Sequence, residues 1–298
     1  MAVITRMPGE PLTPAPNVAT LTAADVPRLR LRHAHHEREV IDQVEAFPGR
    51  SVWIPETLEY LVVTPWRHRY EIAHVEDMEA ARHAEALTTA AAERCANAGD
   101  ALFLTLDILE TRPDSFYDAS GLQCIEEILT YDLPRHGRAV SAAPALRVIE
   151  ADPRDPEHLT ELRRLDHAAF PWLWQNSDDE FRHYRGVPGV RIGIGMMGGR
   201  AVSYFGVTAF SGWGHLDRIA VDPSLQGRGV GRETLARATE VLFSLGAQRV
   251  GLSTQSTNTI SQRLYESYGF HRTPAHDYRL YGRLLPAHPD FPETVPTR

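Results

Sequence analysis

Apolar and polar positions change period several times along this chain. Val190–Met197 and Ala201–Phe210 are apolar runs of strand length joined by Gly198-Gly199, the pattern of a β-hairpin. His215 to Val221 alternates, which predicts a strand with His215, Asp217, Ile219 and Val221 on one face. Leu146–Ile149, Ala101–Leu106 and Arg249–Thr254 are shorter apolar runs of the same kind. Between them fall helical periods. Leu159, Leu162 and Leu165 follow the Asp152-Pro153 turn, and Arg232–Leu245 follows a glycine cluster. Asp77–Ala98 is dense in alanine and predicts a long helix. Strands and helices in this order predict an α/β fold built on a mixed sheet.

The pattern also repeats. Sliding the chain along itself brings Trp66 onto Trp213, His68 onto His215, Ile72 onto Ile219 and Ala73 onto Ala220. One further residue of offset brings Tyr117 onto Tyr265 and Gly121 onto Gly269. Such self-similarity predicts two tandem copies of one unit. The copies differ at one place: Glu79, Ala80, Arg82 and Ala84 stand where Gln226, Gly227, Gly229 and Gly231 stand later. The boundaries that follow are a loose lead at 1–17, a degenerate first copy at 18–138 and a linker at 139–145. A second copy then fills 146–285, and a proline-rich extended tail fills 286–298.

Composition narrows the class. The 298 residues, 43% hydrophobic and 23% charged, describe a globular protein with ample core. The net charge of −8 argues against nucleic acid as a general partner. No apolar run reaches the ~18 residues of a membrane span, and the N-terminus lacks the apolar core of a signal peptide. Two cysteines, Cys95 and Cys124, fit a reducing cytoplasm. Fourteen histidines invite a metal, but His33, His35 and His36 have no zinc-site spacing and H-E-x-x-H is absent, so none is expected.

Gln226-Gly227-Arg228-Gly229-Val230-Gly231 carries the chemistry. A strand precedes it and a helix follows. Bare glycines let backbone N–H groups approach a ligand, and a helix start adds free donors and positive charge. The combination suits a pyrophosphate, while a plain tight turn before a helix also accounts for the glycines. A dinucleotide fold requires G-x-G-x-x-G and a later acidic residue, and a Walker loop requires Gly-Lys-Ser/Thr; neither is present.

Downstream lie Asn258 and Leu264-Tyr265-Glu266-Ser267-Tyr268-Gly269-Phe270. Gln226, Gly229 and Gly231 fit the Q/R-x-x-G-x-G/A motif, and Asn258, Tyr265, Gly269 and Phe270 fit the second motif, of the GNAT superfamily of acyl-CoA-dependent N-acetyltransferases. Residues 146–285 resemble that superfamily closely. The resemblance implies tandem GNAT-like folds whose central strands splay apart, with acetyl-CoA as co-substrate. It implies that Ile219, Ala220 and Val221 pair with the pantetheine arm and that residues 226–232, including Arg228, Val230 and Arg232, meet the diphosphate. Asn258 would bond the arm and Tyr265 would protonate the departing thiolate. His215 would serve as base, with Asp217 orienting it or binding the amine. Some members carry two histidines on this strand; here the second position is Asp217.

The helix-loop-helix region of this family covers the acceptor. It maps to Phe170–Trp174 and Ser177–Glu180, so Trp172, Trp174 and Asp178 are candidate acceptor contacts. Core packing by the tryptophans and helix capping by Ser177 are the other reading. The expected reaction is direct acetyl transfer to a primary amine on a small molecule or protein. A non-catalytic acyl-CoA sensor and a hydroxyl or aminoglycoside acceptor are the alternatives. A monomer and a homodimer are both open.

Overall fold

The computed structural model describes residues 16–31, 36–108, 112–135 and 146–285. The expected linker at 139–145, the tail at 286–298, nearly all of the lead, His33 and His35 lie outside them. Chain contacts define two compact units, residues 1–64 with 75–98 and residues 65–74 with 99–298.

In the first unit, β1 (Ala19–Thr20), β2 (Val52–Ile54) and β3 (Glu59–Pro65) form an antiparallel ribbon. Helix α1 (Glu37–Ala46) lays Val40 and Val44 onto Leu21, Trp53, Tyr60 and Val62. Strand β4 (Ile72–Glu79) and helix α2 (Ala84–Asn97) follow in sequence. The alanine-rich helix therefore starts at Ala84, not at Asp77. Residues 72–79 alternate in burial, and the Tyr60 hydroxyl donates to Asp77 Oδ2 at 2.7 Å. Sheet contacts override helix propensity there.

The second unit holds β5 (Leu102–Leu106), α3 (Asp114–Ala119), β6 (Gln123–Pro134) and β7 (Arg147–Glu150). Next come α4 (Pro156–Ala169), α5 (Asp178–Gly186), β8 (Val190–Met197), β9 (Arg200–Phe210) and β10 (Trp213–Val221). The unit ends with α6 (Val230–Ser244), β11 (Arg249–Gln255), α7 (Thr259–Tyr268), β12 (His271–Arg272) and β13 (Tyr278–Leu284). Its sheet runs β5-β13-β6-β11-β10-β9-β8-β7, with β12 also on β6. The β10–β11 pair is parallel, and the other pairs of this run are antiparallel.

One core lies under α6 and α7, where Leu235, Leu242, Tyr268 and Phe270 meet Val207, Leu216, Val250 and Leu252. Another packs Leu159, Leu162 and Phe181 against Ile192, Ile194 and Tyr204. Fully burying one such side chain stabilises by roughly 1.5–3 kcal/mol. Among the described residues no helix is long and apolar enough to cross a membrane.

The strand order departs from two copies laid end to end. Strand β6, from the first sequence copy, pairs with β11 of the second. Strand β13, the last of the second copy, pairs with β5 of the first and with β6. Each copy closes its sheet with the other's final strand. The sequence limits 18–138 and 146–285 accordingly do not coincide with the compact units.

Glycine supplies a sharp check on this packing. Gly189 has φ +85°, and a Cβ there would sit 2.2 Å from the Ala209 carbonyl oxygen. Gly186 has open space around the same position. Gly189→Ala should cost about 3 kcal/mol, and Gly186→Ala should stay within about 0.5 kcal/mol, in denaturant unfolding. Equal effects would contradict the β8–β9 register.

Candidate active site

Strands β10 and β11 run side by side only from Trp213–Arg249 to Leu216–Leu252. The register of β10 on β9 then shifts between Leu216 and Arg218, so Asp217 is the extra residue of a β-bulge. Beyond it β10 continues on β9 through Ile219, Ala220 and Val221, while β11 continues on β6. The two strands part, leaving the β10 edge facing a cavity of about 940 Å³ that Ile219, Ala220 and Val221 help to line.

The bulge also corrects the face expected from strict alternation. Leu216 and Ile219 both pack in the core under α6, and Val221 packs near Val230. Ala220 packs with α4 and α5, and Arg218 bonds Asp166 of α4. His215 and Asp217 therefore do not share a face with Ile219 and Val221, because one inserted residue reverses the alternation.

The glycine cluster enters the same cavity. Gly227 and Gly229 have φ of +73° and +83°, which favours glycine at both. Gly229 is the N-cap of α6, whose first intrahelical bond runs from Glu233 N to Gly229 O. The helix starts two residues earlier than its sequence pattern suggests, so the amides of Val230, Gly231 and Arg232 form its open first turn. A Cβ on Gly231 would meet Leu264 and Val221 only at 3.5 and 3.7 Å. The protein leaves room there, so the missing side chain keeps this turn bare.

Gln226, Gly227, Gly229, Gly231 and Arg232 line the cavity. Val230 is buried and Arg228 points into solvent; neither is among its lining residues. Arg232 bonds Ser267 through Nη1, to the carbonyl at 3.3 Å and to Oγ at 3.2 Å.

Helix α7 closes another wall. Asn258 lines the cavity and caps this helix, its Oδ1 accepting from Ser261 N at 3.2 Å. Its side-chain NH2 remains as the donor. Tyr265 is 4% exposed and also lines the cavity. Burial pushes its phenol up to about 12, against a hydrogen bond with Ser261 that lowers it. Such a phenol holds its proton and can donate it. Tyr268 and Phe270 belong to the core, with the Tyr268 hydroxyl bonded to Thr239 Oγ1 at 2.8 Å.

At the opposite end, His215 Nδ1 lies 2.8 Å from Asp217 Oδ1. Asp217 Oδ2 accepts from Thr208 Oγ1 at 2.7 Å and from the Tyr184 hydroxyl. Both carboxylate oxygens are thus engaged, which makes Asp217 an orienting group. Burial, followed by the Asp217 charge, raises the Tyr184 phenol. Gly251 sits opposite His215, and a Cβ there would come within 3.4 Å of the imidazole.

Trp174 lines the cavity and donates from Nε1 to Glu126 Oε2 at 2.5 Å. Trp172 and Asp178 are not among the lining residues. The Trp172 ring lies 4.4 Å from the Arg69 guanidinium, and Asp178 pairs with Arg163 at 2.9 Å in the first turn of α5. Ser177 caps that turn by accepting from Glu180 N at 3.0 Å. Helix capping accounts for Ser177 and Asp178, and stacking on Arg69 accounts for Trp172.

Several lining residues escape sequence reasoning: Arg67, Glu126, Tyr184, Arg218 and Tyr278; Glu180 belongs to the acidic stretch that the sequence placed near the acceptor. Glu126 shares the parity of the buried Ile128, but Thr130 and Asp132 on the same face give no apolar pattern that would single it out. Arg67 could not have been noticed either, because Arg67 and His68 turn through φ of +53° and +51° where the aligned second copy runs as a strand.

The seat in the first copy differs in kind. Arg82 stands where Gly229 stands later, and its amide donates to Glu59 Oε1 at 2.6 Å. Glu59 Oε2 also bonds His83 Nδ1. A carboxylate of the protein itself takes the donor that an anionic ligand would need.

Residues 155–270 match the family described as Acetyltransferase (GNAT) family. This segment is a GNAT acetyltransferase family domain. A 69-residue stretch is 41% identical to a mycothiol acetyltransferase of Beutenbergia cavernae, covering 23% of this chain and 23% of that protein. Among solved structures, a GCN5-related N-acetyltransferase from Sphaerobacter thermophilus aligns at TM-score 0.63 and 17% identity, over 92% of this chain and 97% of the other. A tandem GNAT protein from the clavulanic acid biosynthesis pathway aligns at 0.58 and 15%, over 92% and 99%. At these identities the two structures establish the fold. The tandem GNAT fold expected from the repeat is the one found.

Behind the GNAT cavity, Asp166 accepts from Tyr204 at 2.5 Å and pairs with Arg218, both fully buried or nearly so. Asp166→Ala would leave the Arg218 charge buried and unpaired. It should cost about 3–5 kcal/mol in chemical unfolding; a loss under about 1 kcal/mol would mean that the pair does not hold this wall.

Proposed function

We propose that the chain transfers an acetyl group from acetyl-CoA to a primary amine by direct attack within a ternary complex. The observation that carries this reading is the convergence of three features on one cavity: the free β10 edge, the bare first turn of α6 and the Tyr265 hydroxyl. Helix amides and partial positive charge suit a diphosphate. The unpaired strand edge suits an amide-containing arm that adds like another strand, and a β10 amide suits the developing oxyanion.

Amine nitrogen attacks the thioester carbon, the C–S bond breaks and the thiolate takes a proton from Tyr265. Deprotonating an ammonium at neutral pH requires a base. The His215–Asp217 pair offers one: with Nδ1–H directed to Asp217, Nε2 keeps its lone pair. A small molecule or a protein amine could fill the acceptor role, and the cytoplasm, which keeps Cys95 and Cys124 as free thiols, suits the enzyme.

Coenzyme A binding and thiol release test this together. Gly231→Glu, for which the protein has room, should weaken coenzyme A about tenfold or more in calorimetry by placing like charge at the seat. Tyr265→Phe should keep binding and lower thiol release about 10²–10⁴-fold across a panel of primary amines. Binding without release by the wild type would favour an acyl-CoA sensor instead.

A further inference from the structure

Glu126 is the buried group that the reaction above leaves unused. It belongs to β6, the strand exchanged into the second copy's sheet, and it reaches the acceptor end of the cavity beside Trp174. The residue is 5% exposed. Trp174 satisfies Oε2, but Oε1 is buried and has no hydrogen-bond partner among the described residues. A buried carboxylate oxygen without a donor is costly, and native structures retain one where something else supplies the donor.

The carboxylates of Glu180 and Asp217 and the Arg218 guanidinium around it are already engaged. Glu180 pairs with His68 at 2.7 Å, Arg218 with Asp166, and Asp217 with His215. Arg67 gives Nη1 to Asn176 Oδ1 at 2.9 Å. Arg67 Nε, buried and lining the same cavity, has no hydrogen-bond partner among the described residues either, so the protein leaves Oε1 unsatisfied and an acceptor entering the cavity can supply its donor.

We propose that Glu126, in place of His215, is the acceptor-side base: its Oε1 receives the acceptor's ammonium group and takes one proton from it. This rests on reading the chain as an amine acetyltransferase, and it makes the acceptor a cation on arrival. The N–H bond to the transferred proton breaks and an O–H bond to Glu126 forms. The freed lone pair then makes the C–N bond, the thiolate leaves with the Tyr265 proton, and the second amine proton restores Tyr265. Glu126 returns its proton to water, so one proton is released per turnover.

Titration supports the geometry. Burial, opposed by the Trp174 hydrogen bond, pushes the Glu126 carboxyl up to about 7. Glu180 differs: burial raises it, but the His68 hydrogen bond and the Arg67 charge hold it low overall. Two carboxyls in one cavity are thus split into a fixed anion and a group poised near neutrality. The other titratable groups lining this cavity are Arg67 before β4, Tyr184 on α5, His215, Asp217 and Arg218 on β10, Arg232 on α6, Tyr265 on α7 and Tyr278 on β13. Burial holds the phenols of Tyr184, Tyr265 and Tyr278 above their ordinary range, so they keep their protons through neutral pH.

The test uses the full chain and the panel amine with the highest wild-type kcat/KM. For the wild type, kcat/KM should rise as pH climbs through about 7 and then level, because the base must be ionised. Glu126→Gln should lose that limb, fall about 10²–10⁴-fold at pH 8 and bind coenzyme A as the wild type does. His215→Gln should retain the limb. A limb that persists in Glu126→Gln or vanishes in His215→Gln overturns the assignment, as does loss of coenzyme A binding by Glu126→Gln. Wild-type turnover alongside any of these outcomes leaves the acetyltransferase reading standing; no turnover with any amine sinks both.

Discussion

One extra residue in one strand makes the site. At Asp217 strand β10 bulges, and there its pairing with β11 ends. A sheet with full pairing would have no gap and no free edge, since each strand would spend its amides on a neighbour. The bulge frees the edge from Ile219 to Val221 and reverses the side-chain alternation. As a result Asp217 and Arg218 turn toward Thr208 and Asp166 while Ile219 packs under α6. Asp217 itself sits at the irregular position, held by Thr208, Tyr184 and His215.

Strand exchange determines what surrounds that gap. Because β6 lies beside β11, Glu126 and Ile128 of the first sequence copy line a cavity whose glycine turn and tyrosine belong to the second. Arg67 does the same from before β4, and next to it the Trp66 indole donates to the Leu173 carbonyl at 2.9 Å. The worn copy is thus part of the wall. The GNAT domain at 155–270 would lose β6 and its carboxyl if cut out alone.

The two aligned helix starts differ in local chemistry. In the later copy Gly227, Gly229 and Gly231 leave a helix start bare. In the earlier one Glu59 fills the corresponding place from within, bonding Arg82 N and His83. Burial pushes the Glu59 carboxyl up, yet these hydrogen bonds win and hold it at about 2, so it remains an anion there at neutral pH. Negative charge at a helix start disfavours a second negative charge.

Local signals carried much of this in the chain itself. Val190–Met197 was legible as a strand to the residue, since alternation and flanking glycines act over a few bonds. The motif spacing placed Gly229, Asn258 and Tyr265 around one cavity because it reflects a single strand-turn-helix-strand-helix stretch. Other features depend on partners distant in sequence. The helix expected from Asp77 became strand through contacts with residues such as Tyr60. The bulge at Asp217 is a matter of register against β9, and Trp172 was diverted by Arg69. Glu126 met Trp174 only through the exchange of β6 and β13. Sequence alone determined the elements and the cofactor motif, because propensity and spacing are local. Tertiary structure decided that the Glu126 carboxyl is buried with one oxygen unpartnered, because desolvation depends on every neighbour that folding brings near.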